Sequence, residues 1–143
     1  MNTVQLKTLQ QVKIDDFTQG YIEAAFFTDA ENLPDIVTLD AKDLAPDAIG
    51  RIAAECMQFQ QTYSAALKRA YGYKHNMDAI EANSLPDYDA EQAGRDFWFT
   101  RNRHGAGYWD RGLGKPGDDL TEAAHTFSEV SLVLGDDGKI YQE

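Results

Sequence analysis

The sequence predicts an α+β fold, a helix-dominated single domain that ends in a small antiparallel C-terminal hairpin. Apolar residues recur at three- and four-residue spacing over long stretches, which predicts helices. The length of 143 residues and the hydrophobic content of 43% suit one domain (1–143) with one core. The last residues alternate apolar and polar side chains around a Gly-Asp-Asp-Gly turn, which predicts the hairpin.

The first predicted element is a helix over residues 14–28, preceded by an N-terminus (1–13) that we expect to be flexible. Its apolar positions roughly follow a helical period, although Gly20 and the β-branched and aromatic residues leave a strand open. Residues 29–44 are then expected to form a connector with a short extended piece at 36–39.

The clearest helix is predicted over residues 47–71. Asp43 or Pro46 can begin it, Asp47 suits the positive end of the helix dipole, and Gly72 is a natural end. One stripe at helical spacing is expected to face the core. It comprises Ile49, Ile52, Ala53, Cys56, Phe59, Gln60, Tyr63, Leu67 and Ala70.

Two more helices are predicted after a polar connector at 73–87. The first covers residues 88–99, where Gly94 weakens the helix by roughly 1 kcal/mol relative to alanine. The second covers 117–128, with Asp118 or Asp119 as its N-cap. The inward residues are Ala90, Ala93, Phe97 and Trp98 in the first, and Leu120, Ala123, Ala124 and Phe127 in the second.

Composition excludes several classes of protein. With 24 acidic and 13 basic residues the net charge is −11, which disfavours non-specific nucleic-acid binding by the protein as a whole. No apolar run is long enough for a membrane span, and the N-terminus has no signal-peptide core. The single cysteine, Cys56, permits no intramolecular disulfide. We therefore expect a cytoplasmic protein.

The charge is uneven, because residues 95–115 hold five basic and two acidic residues. Two interpretations are open: these cations pair with the surplus carboxylates, or they form a local site for an anionic ligand or an acidic partner. Arginine, tyrosine and tryptophan are common at protein–protein hot spots and where single-stranded bases stack. The candidate binding residues are Arg101, Asn102, Arg103, His104, Tyr108, Trp109 and Arg111. Tyr108 and Trp109 are also expected to pack inward.

A catalytic interpretation has less support. His104 is the best acid–base candidate, and Asp110 could orient it across a turn. No G-x-S-x-G elbow or Walker loop occurs, and the histidines share no metal-ligand spacing, so neither a metal nor a cofactor is expected. Cys56 lies on an apolar stripe, which is typical of an inert buried thiol.

The segment DFWFTRNRHGAGYWDRGLG, residues 96–114, resembles a family of small uncharacterised proteins encoded by bacteriophages, prophages and plasmids. GYIEAAFF, IAAECMQFQ and the terminal LGDDGKIY also resemble that family, so the similarity covers most of residues 14–141. The resemblance implies a phage-related setting in a bacterial cytoplasm and assigns no catalytic residues.

Three functional hypotheses follow. The preferred one is a non-enzymatic accessory protein that binds a host or phage protein, in the manner of acidic inhibitors of host defence, some of which mimic DNA. The alternative is a nucleic-acid or anionic-ligand binder that uses segment 95–115. The least supported is a small hydrolase or transferase centred on His104 and Asp110, because no complete nucleophile–base–orienter set can be assembled.

Overall fold

A computed structural model describes residues 7–9, 12–33, 41–73 and 88–143, which form five helices and two small sheets. The helices are α1 (Asp16–Asp29), α2 (Pro46–Thr62), α3 (Ser64–Tyr71), α4 (Ala90–Arg101) and α5 (Lys115–Ala124). The strands are β1 (Lys7–Leu9), β2 (Val12–Ile14), β3 (Leu132–Leu134) and β4 (Ile140–Gln142). Three short 3-10 turns lie at Ala30–Asn32, Ala41–Asp43 and Tyr108–Asp110. The predicted helix-dominated α+β class is confirmed.

Helices α1 and α4 pack backbone against backbone. A Cβ added at Gly20 would lie 2.0 Å from the Glu91 carbonyl oxygen, and one at Gly94 would lie 1.7 Å from that of Phe17. Only glycine permits this approach. Gly94 therefore allows the two helices to pack closely, a role that its low helix propensity does not reveal. Residues 14–28, for which the sequence left a strand open, form helix α1 over Asp16–Asp29.

The single helix predicted over 47–71 is wrong, because the structure has two helices, α2 and α3. They meet at Tyr63, whose φ of −113° and ψ of 28° leave the helical region. The two helices pack against different neighbours, α2 against α1 and β4 and α3 against α5. The spacing of apolar residues along the chain reports only local structure, so it does not show that the two halves of this segment pack against different elements. Pro46 in the first turn and Gly72 at the end are confirmed.

Helix α5 begins earlier than predicted. Its N-cap is Gly114, with a φ of +63°, and Pro116 lies in the first turn. The prediction that Asp118 or Asp119 is the N-cap is therefore wrong, because both acids lie inside the helix. Helix α4 also runs to Arg101, two residues beyond the predicted end.

The C-terminal hairpin is confirmed. Strands β3 and β4 are antiparallel, with Val133 opposite Tyr141, and Gly138 takes a φ of +81° in the turn. The amide of Ala45 donates to the Ile140 carbonyl at 2.9 Å, which ties the start of α2 to β4.

The expected flexible N-terminus instead contains strands β1 and β2, which form a second antiparallel hairpin. Residues 36–39 and nearly all of the connector at 73–87 lie outside the described residues, so the predictions there stay predictions. Within the described chain, no helix is both long and apolar enough to cross a membrane.

The core is a cluster of aromatic rings between α1, α2 and α4. The Phe59 and Phe97 rings are stacked with their centroids 4.3 Å apart, and the Tyr21 and Trp98 rings form a T-shaped pair with centroids 5.3 Å apart. The Trp98 Nε1–H donates to the Thr28 hydroxyl at 2.7 Å, so its polar atom is satisfied inside the core. This cluster is the base on which the 96–114 segment lies.

Candidate functional site

The 96–114 segment divides into residues bonded within the fold and residues facing solvent. The first group comprises Arg101, Asn102, Tyr108 and Arg111, and the second comprises Arg103, His104, Trp109 and Asp110. The proposed binding residues therefore do not form one surface.

Arg101 ends α4 inside the protein, with 1% of its residue surface exposed. Its Nε and Nη2 donate to the Ser128 carbonyl at 3.0 and 2.8 Å. Its Nη1 donates to Glu55 Oε1 at 2.7 Å and to the Tyr21 hydroxyl at 3.1 Å. A buried charge needs such compensation, and the bonds join α4 to α1, α2 and the chain after α5.

The network continues into the C-terminal strand. The Tyr21 hydroxyl donates to Gln142 Oε1 at 2.5 Å, and Gln142 Nε2 donates to Glu55 Oε1 at 2.9 Å. Arg51 Nη1 donates to the Gln142 carbonyl at 2.6 Å. No sequence pattern indicates this set, because Glu55 and Gln142 look like ordinary surface residues of a helix and a strand.

Arg111 and Asp96 form a second internal pair. Arg111 Nε donates to Asp96 Oδ2 at 3.0 Å, and Arg111 Nη2 donates to Asp96 Oδ1 at 2.7 Å. Asp96 is fully buried. The Tyr88 hydroxyl and the Gln92 side-chain amide donate to the same carboxylate. The hydrogen bond to Asp96 raises the pKa of Arg111, so this cation is held in a structural contact.

Asn102 and Tyr108 also serve the fold. Asn102 Oδ1 accepts from the Val130 amide at 2.8 Å, which fixes the approach to β3. The Tyr108 hydroxyl donates to the Ala93 carbonyl at 2.7 Å, and its ring is fully buried, as predicted. The Tyr108 amide donates to the Thr100 hydroxyl at 3.1 Å, which holds the loop against α4.

The cations of segment 95–115 are mostly paired. Beyond the two internal pairs, Arg95 meets Glu23 at 2.9 Å and Lys115 meets Asp119 at 3.0 Å. Of the five, Arg103 alone has no carboxylate partner within the part of the chain that the structure describes. The geometry therefore favours internal pairing over a basic stripe.

In the solvent-facing group, Arg103 and His104 lie just after α4, whereas Trp109 and Asp110 lie in the 3-10 turn Tyr108–Asp110. Arg103 has a φ of +57°, the left-handed region, and is exposed. The prediction that Trp109 packs inward is wrong, because 52% of its surface is exposed. A 3-10 turn has about three residues per turn, so neighbouring side chains diverge, and Tyr108 takes the inward direction.

The catalytic candidates have no assembled site. The His104 and Phe99 rings form a T-shaped pair with centroids 6.2 Å apart. Within the described residues, no hydrogen bond or ion pair joins His104 to Asp110. Burial raises the pKa of the Cys56 thiol, which keeps it protonated. No three His, Cys, Asp or Glu side chains of the described ranges group as metal ligands.

A polar cleft of about 360 Å³ lies beside the buried guanidinium, and we name it the Arg101 cleft. Sequence reasoning missed it because its walls come from three separate parts of the chain: α2 with Tyr63, the end of α4, and the segment after α5. Its lining includes Glu55, Thr62, Tyr63, Arg101, Phe127 and Ser128.

Comparison with known proteins identifies no relative, since no family model, no curated protein and no solved structure matches the chain.

Raising the pH above about 10 is expected to lower the free energy of unfolding. Burial raises the pKa of Tyr21 and Tyr108 above that of an unfolded chain. The stability from keeping these phenols neutral is complete below the unfolded pKa and falls as pH rises above it. Each contributes a slope of about 1.4 kcal/mol per pH unit, measurable by urea unfolding between about pH 8 and 11.

Tyr108→Phe is the control for this prediction. It removes one titrating phenol and the bond to Ala93, so it should cost about 1 kcal/mol at neutral pH. Above pH 10 its slope should be shallower than wild type by about 1.4 kcal/mol per pH unit. Stability that stays constant up to about pH 11 would contradict the assigned burial effect.

Proposed function

We propose that this protein is a non-enzymatic, phage-type accessory protein that binds another protein in the cytoplasm of a bacterial host. The proposed contact surface is the motif face, defined as Arg103, His104 and Trp109. The observation that carries the proposal is Trp109, a large aromatic with 52% of its surface exposed beside a fully buried tyrosine. Tryptophan and arginine are the residues most enriched at protein–protein hot spots.

The loop that presents Trp109 is braced on both sides. Tyr108 is bonded to α4, and Arg111 is held by the buried carboxylate of Asp96. Rigid presentation reduces the entropy lost on binding, so an exposed aromatic in this setting is a better anchor than one on a loose loop.

Arg103 supplies the charge of this surface. Since no carboxylate of the described chain pairs with it, an acidic side chain of a partner would meet an uncompensated cation. His104 adds an exposed imidazole next to it. We therefore propose that the bound segment of the partner carries a carboxylate.

The competing functions draw less support. A nucleic-acid interface needs a stripe of free cations, whereas most cations of segment 95–115 contact carboxylates. DNA mimicry needs free carboxylates, yet Asp15 accepts from the Thr18 amide and Asp29 from the Leu132 amide. A role as an inhibitor of host defence that binds through the motif face remains part of the proposal.

The experiment is an affinity capture from host lysate followed by a binding titration with the purified candidate. Trp109→Ala is expected to weaken binding by about 30-fold, the loss typical of a hot-spot residue. Arg103→Glu should weaken it further by reversing the charge. The matched control is Phe27→Ala, which removes an aromatic that is 80% exposed on α1.

The control and the wild type should bind equally, and all variants should have the same melting temperature. Capture of nucleic acid alone would contradict the proposal. So would a partner that binds Trp109→Ala as tightly as wild type, because the motif face would then not be its contact surface.

A further inference from the structure

We infer that the Arg101 cleft binds a small uncharged ring compound whose edge carries a carbonyl next to an N–H, as in a cyclic amide. This site lies apart from the motif face and adds a ligand-binding role to the proposed function. The unused hydrogen-bonding capacity, the charge and the walls of the cleft support this inference.

The guanidinium of Arg101 has one N–H left over. A guanidinium has five N–H donors. Nε and one hydrogen of Nη2 point to the Ser128 carbonyl, and the two hydrogens of Nη1 go to Glu55 and Tyr21. The second hydrogen of Nη2 has no acceptor among the described residues. Because buried donors are ordinarily satisfied, a ligand carbonyl is the fitting complement where the cleft reaches this group.

Glu55 offers an acceptor in the same cleft. Its Oε1 already accepts from Arg101 and Gln142, at 2.7 and 2.9 Å. Its Oε2 has only an ion-pair contact with Arg51 Nε at 3.7 Å, which is beyond hydrogen-bond distance. An N–H of a ligand can therefore bind Oε2 while the neighbouring carbonyl binds Arg101.

Charge selects an uncharged ligand. The ion pair of Arg101 with Glu55 cancels the charge at the floor of the cleft, and a chain of net charge −11 repels anions. The walls include the rings of Tyr63 and Phe127, which suit a flat ring. A volume of about 360 Å³ lies within the range of small-molecule sites.

The test uses 2-pyridone as the probe, with ligand-observed NMR titration on the full chain. A fragment of this size binds in about the millimolar range. N-methyl-2-pyridone lacks the N–H and should bind at least about tenfold more weakly, since the Glu55 carboxylate would lose its donor. Benzoate, a planar anion, should bind no better than the methylated probe.

A pair of variants locates the site. Gln58 is exposed and lines the cleft, so Gln58→Trp should block it without touching the buried network. Gln61→Trp places the same ring on an exposed position of α2 that does not line the cleft, and should bind like wild type.

Three results would overturn the inference. They are no binding of 2-pyridone to the wild type, equal affinity for the methylated probe, and unchanged affinity in Gln58→Trp. Preferential binding of benzoate would assign the cleft to anions instead. None of these measurements involves the protein partner, so the outcome is independent of the proposed function.

Discussion

Replacing Arg101 by leucine is expected to lower the free energy of unfolding by about 3–5 kcal/mol and the melting temperature by about 10 °C. The guanidinium is the only described cation within 3 Å of the Glu55 carboxylate, and it also satisfies the Ser128 carbonyl. Leucine fills part of the space but leaves the Ser128 carbonyl without its donor and the partly buried Glu55 carboxylate without its closest cation, with only Gln142 Nε2 still donating to Oε1. Urea unfolding at neutral pH measures the effect.

Arg101→Lys separates charge from geometry. Lysine keeps the positive charge but cannot donate to Glu55 and to the Ser128 carbonyl with a planar fork, so an intermediate loss is expected. Arg103→Gln is the matched control, because it removes an exposed arginine two residues away and should change stability by less than about 0.5 kcal/mol. Equal effects at the two positions would show that the buried network contributes nothing.

Gly94→Ala is expected to destabilise the protein by about 3 kcal/mol or more, although alanine is the better helix former. The new Cβ would lie 1.7 Å from the Phe17 carbonyl oxygen, which belongs to backbone and cannot rotate away. Helices α1 and α4 must then separate, and the aromatic core between them loosens. Gly20→Ala should act in the same way, since its Cβ would lie 2.0 Å from the Glu91 carbonyl oxygen.

Gly50→Ala provides the control for both glycine substitutions. Gly50 lies within α2, and beyond its chain neighbours and the nearby backbone of its own helix no described atom would lie within 4 Å of an added Cβ. Alanine there should stabilise the protein by about 0.5–1 kcal/mol. Opposite signs for Gly94→Ala and Gly50→Ala in thermal unfolding would confirm the close helix contact, whereas stabilisation in both would contradict it.

Much of the 96–114 segment is bonded within the fold. Arg101, Asn102 and Tyr108 hold α4, the loop and the C-terminal strand together. Arg103, His104 and Trp109 remain exposed, and they are the surface that we propose for a protein partner. A long sequence motif can therefore reflect the requirements of folding, with only its exposed side chains free to bind another molecule.

Local patterns predicted much of the fold. The periods of α1, α2 and α4 and the alternation in the C-terminal hairpin involve neighbouring residues, so they are visible in the sequence. The break at Tyr63 was not predicted, and α5 was predicted over 117–128 whereas it covers Lys115–Ala124. The break depends on which elements α2 and α3 pack against, and α5 begins at Gly114 with Pro116 in its first turn, ahead of the acids that resemble a cap.

By itself the sequence determined the α+β class, the acidic net charge and the concentration of cations and aromatic residues in the 96–114 segment. Only the tertiary structure decided which of its side chains are bonded inside and which face solvent. Arg101 meets Glu55 from 46 residues earlier, and Tyr21 meets Gln142 across 121 residues. Such pairings arise from the packing of whole helices, because a buried charge must find its counterpart wherever the fold places one.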